Sequence, residues 1–337
     1  MKIILDARWR NLINNNLFRI NRPGWANLAL RNSRIKDGYL ALDRNENQDS
    51  ILIDQIGTIL RTALKVDLLH VSRYMDYYDT YQLLAEHFAV SVDNILITNG
   101  CDEAMRLTFE ACLNERKSIG YKMPTYRGVV NNSADLTDFV MSDIVGCPAV
   151  WYLCSPNNPD GKVTPASEVE KLLIDYPDTM IFLDNTYADY CDESYDYLIK
   201  YENIVIGKSF SKSWGLAGAR FGVMLSHSNN ITQIAKIRPI MSVSSITLQL
   251  VNYLLQNYNI IQDSIERNIR GMHHVRKYFG DVVNQPHINH VEIPWTEEFA
   301  TELHSKKILF GHDQPQGEFG KIRLTTMPIW QFDQIFK

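Results

Sequence analysis

The residues best able to do chemistry lie in one run, Gly207-Lys208-Ser209-Phe210-Ser211-Lys212-Ser213-Trp214-Gly215-Leu216-Ala217-Gly218-Ala219-Arg220-Phe221-Gly222. It sets hydroxyls, a lysine and an arginine among small residues. A lysine packed by apolar neighbours gives up its proton more easily than a solvated one and becomes an amine nucleophile. Nearby hydroxyls and a guanidinium can hold a phosphate. Taken alone, Lys212 reads first as part of a solvated surface loop; the whole pattern argues otherwise. Three shorter motifs add to it. Thr98-Asn99-Gly100-Cys101-Asp102-Glu103 ends an apolar run and opens a helical one, and free N–H groups at a helix start bind anions. Ser155-Pro156-Asn157-Asn158-Pro159-Asp160-Gly161 and Asp184-Asn185-Thr186-Tyr187 each follow another apolar run.

Positioning these motifs requires an alternating chain. Strand-length apolar runs occur at Ile95–Thr98, Ser118–Tyr121, Phe139–Met141, Ala149–Leu153, Met180–Leu183, Ile204–Ile206 and Phe221–Leu225, with helical periods between most of them. Alternation of this kind predicts an α/β unit with a mostly parallel, seven-stranded sheet between helices. Ligands in such sheets sit at the carboxyl ends of the strands, where Gly100, Asn158, Asp184 and Lys212 all fall. After Leu225 the pattern predicts helices over Ile231–Tyr258, broken at Pro239, and over Gln262–Phe279. Short strands follow at Asn289–Ile293, Ile308–Phe310 and Lys321–Thr325, giving a smaller α+β domain. The expected division is an N-terminal arm or part of the small domain over 1–44, a large domain over 45–235 and a small C-terminal domain over 236–337.

The pattern Ser-x-Ser-Lys-x-x-x-Leu-Ala-Gly-x-Arg-x-Gly resembles the lysine motif of pyridoxal-phosphate enzymes with the aspartate-aminotransferase fold, and the histidinol-phosphate aminotransferase branch is the nearest likeness. The resemblance implies that Lys212 bonds covalently to the aldehyde of pyridoxal 5′-phosphate, while Ser209, Ser211 and Arg220 bind its phosphate. Gly100, Cys101 and Asp102 match the family's Gly-Ser/Ala-Asp and imply further phosphate binding through backbone N–H groups. Asn158 and Tyr187 match residues that bond the pyridoxal 3′-oxygen. Asp184 matches the carboxylate that keeps the ring nitrogen protonated, and Tyr126, in Pro124-Thr125-Tyr126, matches the aromatic ring on the pyridine face. Arg73-Tyr74-Met75-Asp76 resembles Arg-Tyr-Pro-Asp, whose tyrosine reaches the cofactor of a neighbouring subunit, so Tyr74 implies a homodimer. Leu42-Asp43-Arg44-Asn45-Glu46-Asn47 resembles Leu-x-x-Asn-Glu-Asn and makes Asn47 a substrate-binding candidate. Lys321-Ile322-Arg323-Leu324-Thr325 resembles Leu-Arg-Ile-Thr, whose arginine grips the substrate α-carboxylate; that residue is Arg323.

The likeness runs from about Leu42 to Thr326 but is weaker at the substrate end. The branch has a second arginine before the carboxylate-binding one, holding the substrate phosphate. Here that interval reads Phe310-Gly311-His312-Asp313-Gln314. His312 is the expected stand-in, a cation that titrates near neutral pH. Arg323 is then expected to serve every acidic group of the substrate. Asn185 and Thr186 replace the family's Glu-Ala, Asp160 its threonine, and Met327 a glycine. The resemblance implies an aminotransferase that moves an amino group from a donor such as glutamate to a small, optionally phosphorylated, ketone. A decarboxylase of a phosphorylated amino acid would keep the same residues. A catalytically silent homologue with a binding role is the third reading.

Composition bounds these readings. The 337 residues carry 34 Lys and Arg against 39 Asp and Glu, a net charge of −5. That argues against a duplex-binding protein and a polybasic membrane tether. Five cysteines, Cys101, Cys112, Cys147, Cys154 and Cys191, include no C-x-x-C pair, so reduced thiols in a cytoplasm are expected rather than disulfides or zinc. Charges at Lys2, Asp6 and Arg8 interrupt the N-terminal apolar run too soon for a signal peptide. No metal, membrane or nucleic-acid partner is expected.

Overall fold

The computed structural model describes residues 25–64, 72–113, 118–133, 138–141, 148–313 and 320–337. Most of the expected arm, residues 1–24, and Cys147 lie outside them. The chain opens with α1 (Trp25–Lys36), β1 (Leu40–Leu42), α2 (Ser50–Thr58) and α3 (Tyr78–Phe88). Strands and helices then alternate: β2 (Ile95–Thr98), α4 (Cys101–Cys112), β3 (Ser118–Tyr121), α5 (Gly128–Ser133), β4 (Asp138–Met141), β5 (Val150–Cys154), α6 (Ala166–Asp175), β6 (Met180–Asp184), β7 (Ile204–Ser209) and β8 (Gly222–Ser226). Last come α7 (Ser228–Ile234), α8 (Ser245–Gln256), α9 (Asn259–Phe279), β9 (His290–Pro294), α10 (Glu297–Ser305), β10 (Ile308–Asp313), β11 (Lys321–Thr325) and α11 (Ile329–Phe336).

The large sheet has seven strands in the order β2-β8-β7-β6-β5-β3-β4. Its β3–β4, β3–β5, β5–β6 and β6–β7 pairs are parallel, and β8 runs antiparallel to both β2 and β7. This is the mostly parallel sheet that the alternation predicts. Successive side chains of a strand point to opposite faces, and the core divides accordingly. Ile181, Leu183, Ile204 and Ile206 join one cluster with Trp214 and α8. Phe182, Val205 and Tyr152 join the other, beneath α4. Both faces are apolar because both are covered by helices.

The small sheet runs β1-β10-β11-β9, with β1 parallel to β10 and the other pairs antiparallel. Its core is Leu42, Val291, Ile322 and Leu324 against Val275, Leu303 and Phe332. The segment before residue 44 shows no period in sequence, yet α1 is helical. Its sequence WANLALRNSRIK spreads arginine and asparagine round the helix, which blurs any apolar stripe. The break expected at Pro239 extends from the end of α7 to Ser244, whose side chain caps α8 by accepting from Thr247 N.

A buried ion pair ties α2 to α9. Asp49, wholly buried, caps α2 by accepting from Ile51 N at 3.1 Å. Arg267 of α9 donates to its Oδ2 from Nη2 at 2.7 Å and from Nε at 3.0 Å. Removing one partner leaves a charge in low dielectric. Arg267→Ala is expected to lower unfolding stability by about 3 kcal/mol, read from urea denaturation. Gln at exposed Arg270 is expected to change it by under ~0.5 kcal/mol.

Candidate active site

The carboxyl ends of β5, β6 and β7 and the start of α4 enclose a cavity of about 290 Å³. Its lining includes Cys101, Asp102, Tyr126, Asn158, Asp184 and Tyr187, and from the loop after β7, Ser209, Ser211, Lys212 and Arg220. Residues as far apart as Cys101 and Arg220 therefore meet because strands of one sheet end on the same edge. Gly100 is immediately behind the lining.

The loop that carries Lys212 is pinned on both sides. Ser209 Oγ accepts from Ser211 N at 3.2 Å. Ser213 O accepts from Asn47 Nδ2 at 2.8 Å, and Ser213 Oγ donates to Asp189. Leu216 N donates to Phe210 O at 3.0 Å, closing the turn. The Lys212 ammonium donates to Arg44 O at 3.0 Å. Burial lowers its pKa to about 8, an effect that Glu46 opposes and Arg323 assists. Lys208, by contrast, lies away from the cavity. Its Nζ donates to Asn185 Oδ1 at 2.8 Å and pairs with Asp196 at 2.6 Å.

Asp184 ends β6 two residues after Phe182, so it faces α4. Burial raises its pKa, while donors from Thr186 and Tyr152 hold it down. Tyr152 donates to Oδ2 at 2.8 Å, Thr186 N to Oδ1 at 3.1 Å and the Cys101 thiol to Oδ1 at 3.6 Å. Tyr152 is not found by sequence reasoning: inside an apolar strand run a tyrosine reads as core. The one available signal is its pairing position in a parallel sheet, two residues before the strand end, as Phe182 is in β6. Burial pushes the Cys101 thiol well up as well, so it is a poor nucleophile at neutral pH.

Around the cavity mouth, Tyr187 OH accepts from Asn45 Nδ2 at 3.0 Å and from Asn158 Nδ2 at 3.5 Å. Burial raises its pKa. Tyr126 donates to Asp102 Oδ1 at 3.2 Å, which fixes its ring against the cavity. At the other end, the first turn of α4 begins with Glu103 N donating to Gly100 O at 3.2 Å. The N–H groups of Cys101 and Asp102 thus stand at the open end of the helix. Gly100 has φ +84°, and a Cβ there would sit 2.7 Å from Arg220 Nη2. A Cβ on Gly222 would meet Gly100 C at 2.7 Å. Two glycines therefore let helix start, arginine and β8 converge into a concave cradle of hydroxyls, N–H groups and a guanidinium.

A second cavity, of about 740 Å³, adjoins the first and shares Arg44, Tyr126, Asn158 and Lys212 with it. Arg323 lines it, from the face of β11 opposite to core residues Ile322 and Leu324. Its register partner is Gly311, where a Cβ would come within 3.0 Å of the guanidinium. The absence of that carbon seats Arg323, which donates to Asp43 O at 3.3 Å.

Other expected residues are placed differently. Asn47 is buried and lines neither cavity; besides Ser213 O, it bonds Asp49 N and Asn268 Nδ2 through Oδ1. It supports the Lys212 loop, whereas Asn45, two residues earlier, reaches the cavity. His312 pairs in register with Ile322, one position out of phase with Arg323. Tyr74 is 88% exposed and outside both cavities. Among the described residues, no three or more His, Cys, Asp or Glu form a group that could hold a metal.

A pKa near 8 leaves roughly a tenth of the Lys212 amine neutral at pH 7. Only the neutral amine attacks carbonyls. In protein stripped of bound aldehydes, labelling of Lys212 by formaldehyde and a mild hydride donor is expected to rise with pH and level above about 8. Labelling of Lys171, raised by its partner Asp175, is expected to keep rising beyond pH 10. Peptide mass spectrometry over a pH series reads both.

Residues 134–298 match the family model for class I and II aminotransferases. A histidinol-phosphate aminotransferase from Pyrococcus furiosus is 26% identical over 273 residues, covering 76% of this chain and 78% of that protein. The crystal structure of histidinol-phosphate aminotransferase from Sinorhizobium meliloti in complex with pyridoxal-5′-phosphate has a TM-score of 0.78 at 19% identity, covering 95% of this chain and 94% of its own. L-threonine-O-3-phosphate decarboxylase from Porphyromonas gingivalis has a TM-score of 0.74 at 20% identity, covering 88% and 97%. Over residues 134–298 this chain is similar to the class I and II aminotransferases, it resembles histidinol-phosphate aminotransferases along most of its length, and its fold is that of these solved structures.

Proposed function

We propose that this protein is a pyridoxal-phosphate-dependent aminotransferase that moves an amino group from an amino acid, glutamate foremost, to a small ketone, including a phosphorylated one. The observation that carries the reading is one cavity holding a lysine of lowered pKa, a buried carboxylate and an anion cradle. The residues fit the cofactor. The cradle that a Cβ at Gly100 or Gly222 would fill suits a phosphate, and the cavity lies between that cradle and Asp184.

When bound, pyridoxal phosphate supplies an aldehyde that captures amines and a protonated ring that draws electrons from the substrate α-carbon. The protein's residues do the rest. Ser209, Ser211, Arg220 and the N–H groups of Cys101 and Asp102 anchor the phosphate. Asp184 holds the proton on the ring nitrogen, and a cation there offsets the burial that raises its own pKa. Tyr152 and Thr186 keep two lone pairs of Asp184 engaged, which fixes its orientation. Tyr187 and Asn158 bond the 3′-oxygen, Tyr126 covers the ring, and Arg323 orients the substrate through its α-carboxylate. Lys212 would bond the cofactor covalently and, as a neutral amine, would be the group in place to move the substrate α-proton.

We also propose a cytoplasmic homodimer. The support is the exposure of large apolar side chains, Ile240 at 86% and with it Tyr74 and Ile53. Tyr74, outside its own cavity, is assigned to the partner's. Among the described residues, no helix is long and apolar enough to cross a membrane. Sedimentation is expected to give a dimer at assay concentration; an active monomer would count against the assignment of Tyr74.

The reading as a whole is tested by mixing holoenzyme with glutamate alone. Stoichiometric 2-oxoglutarate, with the cofactor converted to its amine form, is the expected result. Carbon dioxide release instead would overturn it in favour of decarboxylation.

Lys212→Ala is expected to abolish borohydride-fixed cofactor and to cut turnover by more than ~10³-fold. Lys208→Ala is expected to keep the fixed cofactor while losing stability, since Asp196 and Asn185 lose their partner. Asp184→Ala is expected to lower turnover far more than Asn185→Ala, which removes bonds to Lys208 and Ser155 O and so lowers Tm. Tyr152→Phe is expected to fall between them, about tenfold in turnover, with a shifted cofactor absorption spectrum.

A further inference from the structure

A buried histidine that the proposed reaction does not use opens β9. His290 is wholly buried, and its Nε2 stands 3.2 Å from Pro159 O. A carbonyl only accepts, so Nε2 carries the proton and donates. Its other nitrogen, Nδ1, is buried with no hydrogen-bond partner. Burial and the nearby charge of Arg323 hold its pKa well below the ordinary histidine value, so the ring is neutral at pH 7. Packing alone would favour a leucine here, which buries no orphaned nitrogen. What the histidine adds is the bond to Pro159.

That bond falls next to Asn158, one of the two donors to Tyr187. Asn289, also buried, does the matching work on the other donor: its Nδ2 donates to Asn45 O at 3.0 Å. Asn45 N donates at 3.0 Å to Oγ1 of Thr325, the register partner of His290 on β11. A second clamp lies beside the first. Gln285 N donates to Asp160 O at 2.7 Å, and a Cβ on Gly161 would collide with Gln285 O. The turn after Asn158 therefore lies flat against the segment that leads into β9.

Tyr187 shows what these clamps accomplish. A phenol oxygen has two lone pairs and one proton. Asn45 Nδ2 at 3.0 Å and Asn158 Nδ2 at 3.5 Å take the lone pairs. The proton is left to be donated into the cavity that Tyr187 lines. We infer that Asn289 and His290 are positioning residues that hold both donors of Tyr187 in place, so that the small sheet sets how strongly the cofactor's 3′-oxygen is hydrogen-bonded. This rests on the aminotransferase reading for what Tyr187 and Asn158 donate to; the hold on the Asn158 loop is a property of the protein alone.

The test uses His290→Leu, Asn289→Ala and His290→Gln, whose amide reaches about as far as the imidazole Nε2. Two quantities are measured: the pH midpoint of the bound cofactor's absorption change in resting holoenzyme, and amide exchange of residues 157–162 in cofactor-free protein. A 3′-oxygen with weaker donors holds a shared proton more tightly, so the midpoint rises. His290→Leu is expected to raise it by about 0.5–1 pH unit, the worth of one hydrogen bond, and to speed the exchange about tenfold. Asn289→Ala is expected to raise the midpoint similarly and to leave that exchange near wild type. His290→Gln is expected to restore at least about half of both losses. In a background carrying Tyr187→Phe and Asn158→Ala, neither substitution is expected to move the midpoint further. A midpoint that stays put in His290→Leu or in Asn289→Ala, or a shift that persists in that background, overturns the inference. Should His290→Leu not fold, Asn289→Ala decides by the same criteria. Protein that takes up no pyridoxal phosphate would refute the aminotransferase reading, and exchange in cofactor-free His290→Leu or His290→Gln would still decide whether His290 holds the Asn158 loop.

Discussion

Everything at this site depends on keeping an amine out of water. Lys212 lies where the edge of the large sheet meets the segment after β1, with its ammonium on a backbone carbonyl rather than a carboxylate. A carboxylate partner would hold the proton; a carbonyl and burial together release it, and the pKa falls to about 8. The neighbouring guanidinium groups of Arg323 and Arg220 act in the same direction, while Glu46 and Asp102 moderate them. Lys208 shows the opposite arrangement four residues earlier. It too is buried but is paired with Asp196 and Asn185, so its bonds hold the fold together.

The same sheet geometry fixes the opposing carboxylate. Alternation along β6 sends Asp184 to the α4 side, and alternation along β5 sends Tyr152 to meet it. A buried carboxylate costs several kcal/mol unless its lone pairs are occupied. Tyr152 and Thr186 occupy two of them, and the Cys101 thiol adds a weak third contact. Burial still wins, since the pKa of Asp184 remains raised. A carboxylate so placed is unstable as an isolated charge and is stabilised by a cation brought opposite it, which is the environment a protonated pyridine ring provides.

Both sheets contribute by subtraction. Gly311 lacks the side chain that would displace Arg323, and Gly100 and Gly222 lack those that would fill the anion cradle. Pairing β1 with β10 brings Arg44 and Asn45 beside Lys212 and Tyr187. The segment from Leu42 to Asn47 therefore divides its work. Arg44 and Asn45 face the cavities, whereas Asn47 turns inward to hold Ser213, Asp49 and Asn268.

The strands of the large sheet were legible in the sequence because their side chains are buried on both faces, which writes them as short apolar runs. Lys212, Asp184, Asn158 and Gly100 were legible because each stands where such a run ends. The helix over Trp25–Lys36 was not, since its polar residues leave no clean stripe. Tyr152 was not, because neither type nor spacing distinguishes a core tyrosine from a carboxylate's partner. The family pattern pointed to Asn47; hydrogen bonding turns Asn47 to the Lys212 loop and brings Asn45 to Tyr187 at the cavity. A one-residue change of strand phase reverses the face a side chain occupies, and pairing between segments some 270 residues apart sets that phase in β1 and β10. Sequence determined which residue types arrive at the sheet's edge; only the tertiary structure decided which of them face the cavity, because that depends on partners remote in the chain.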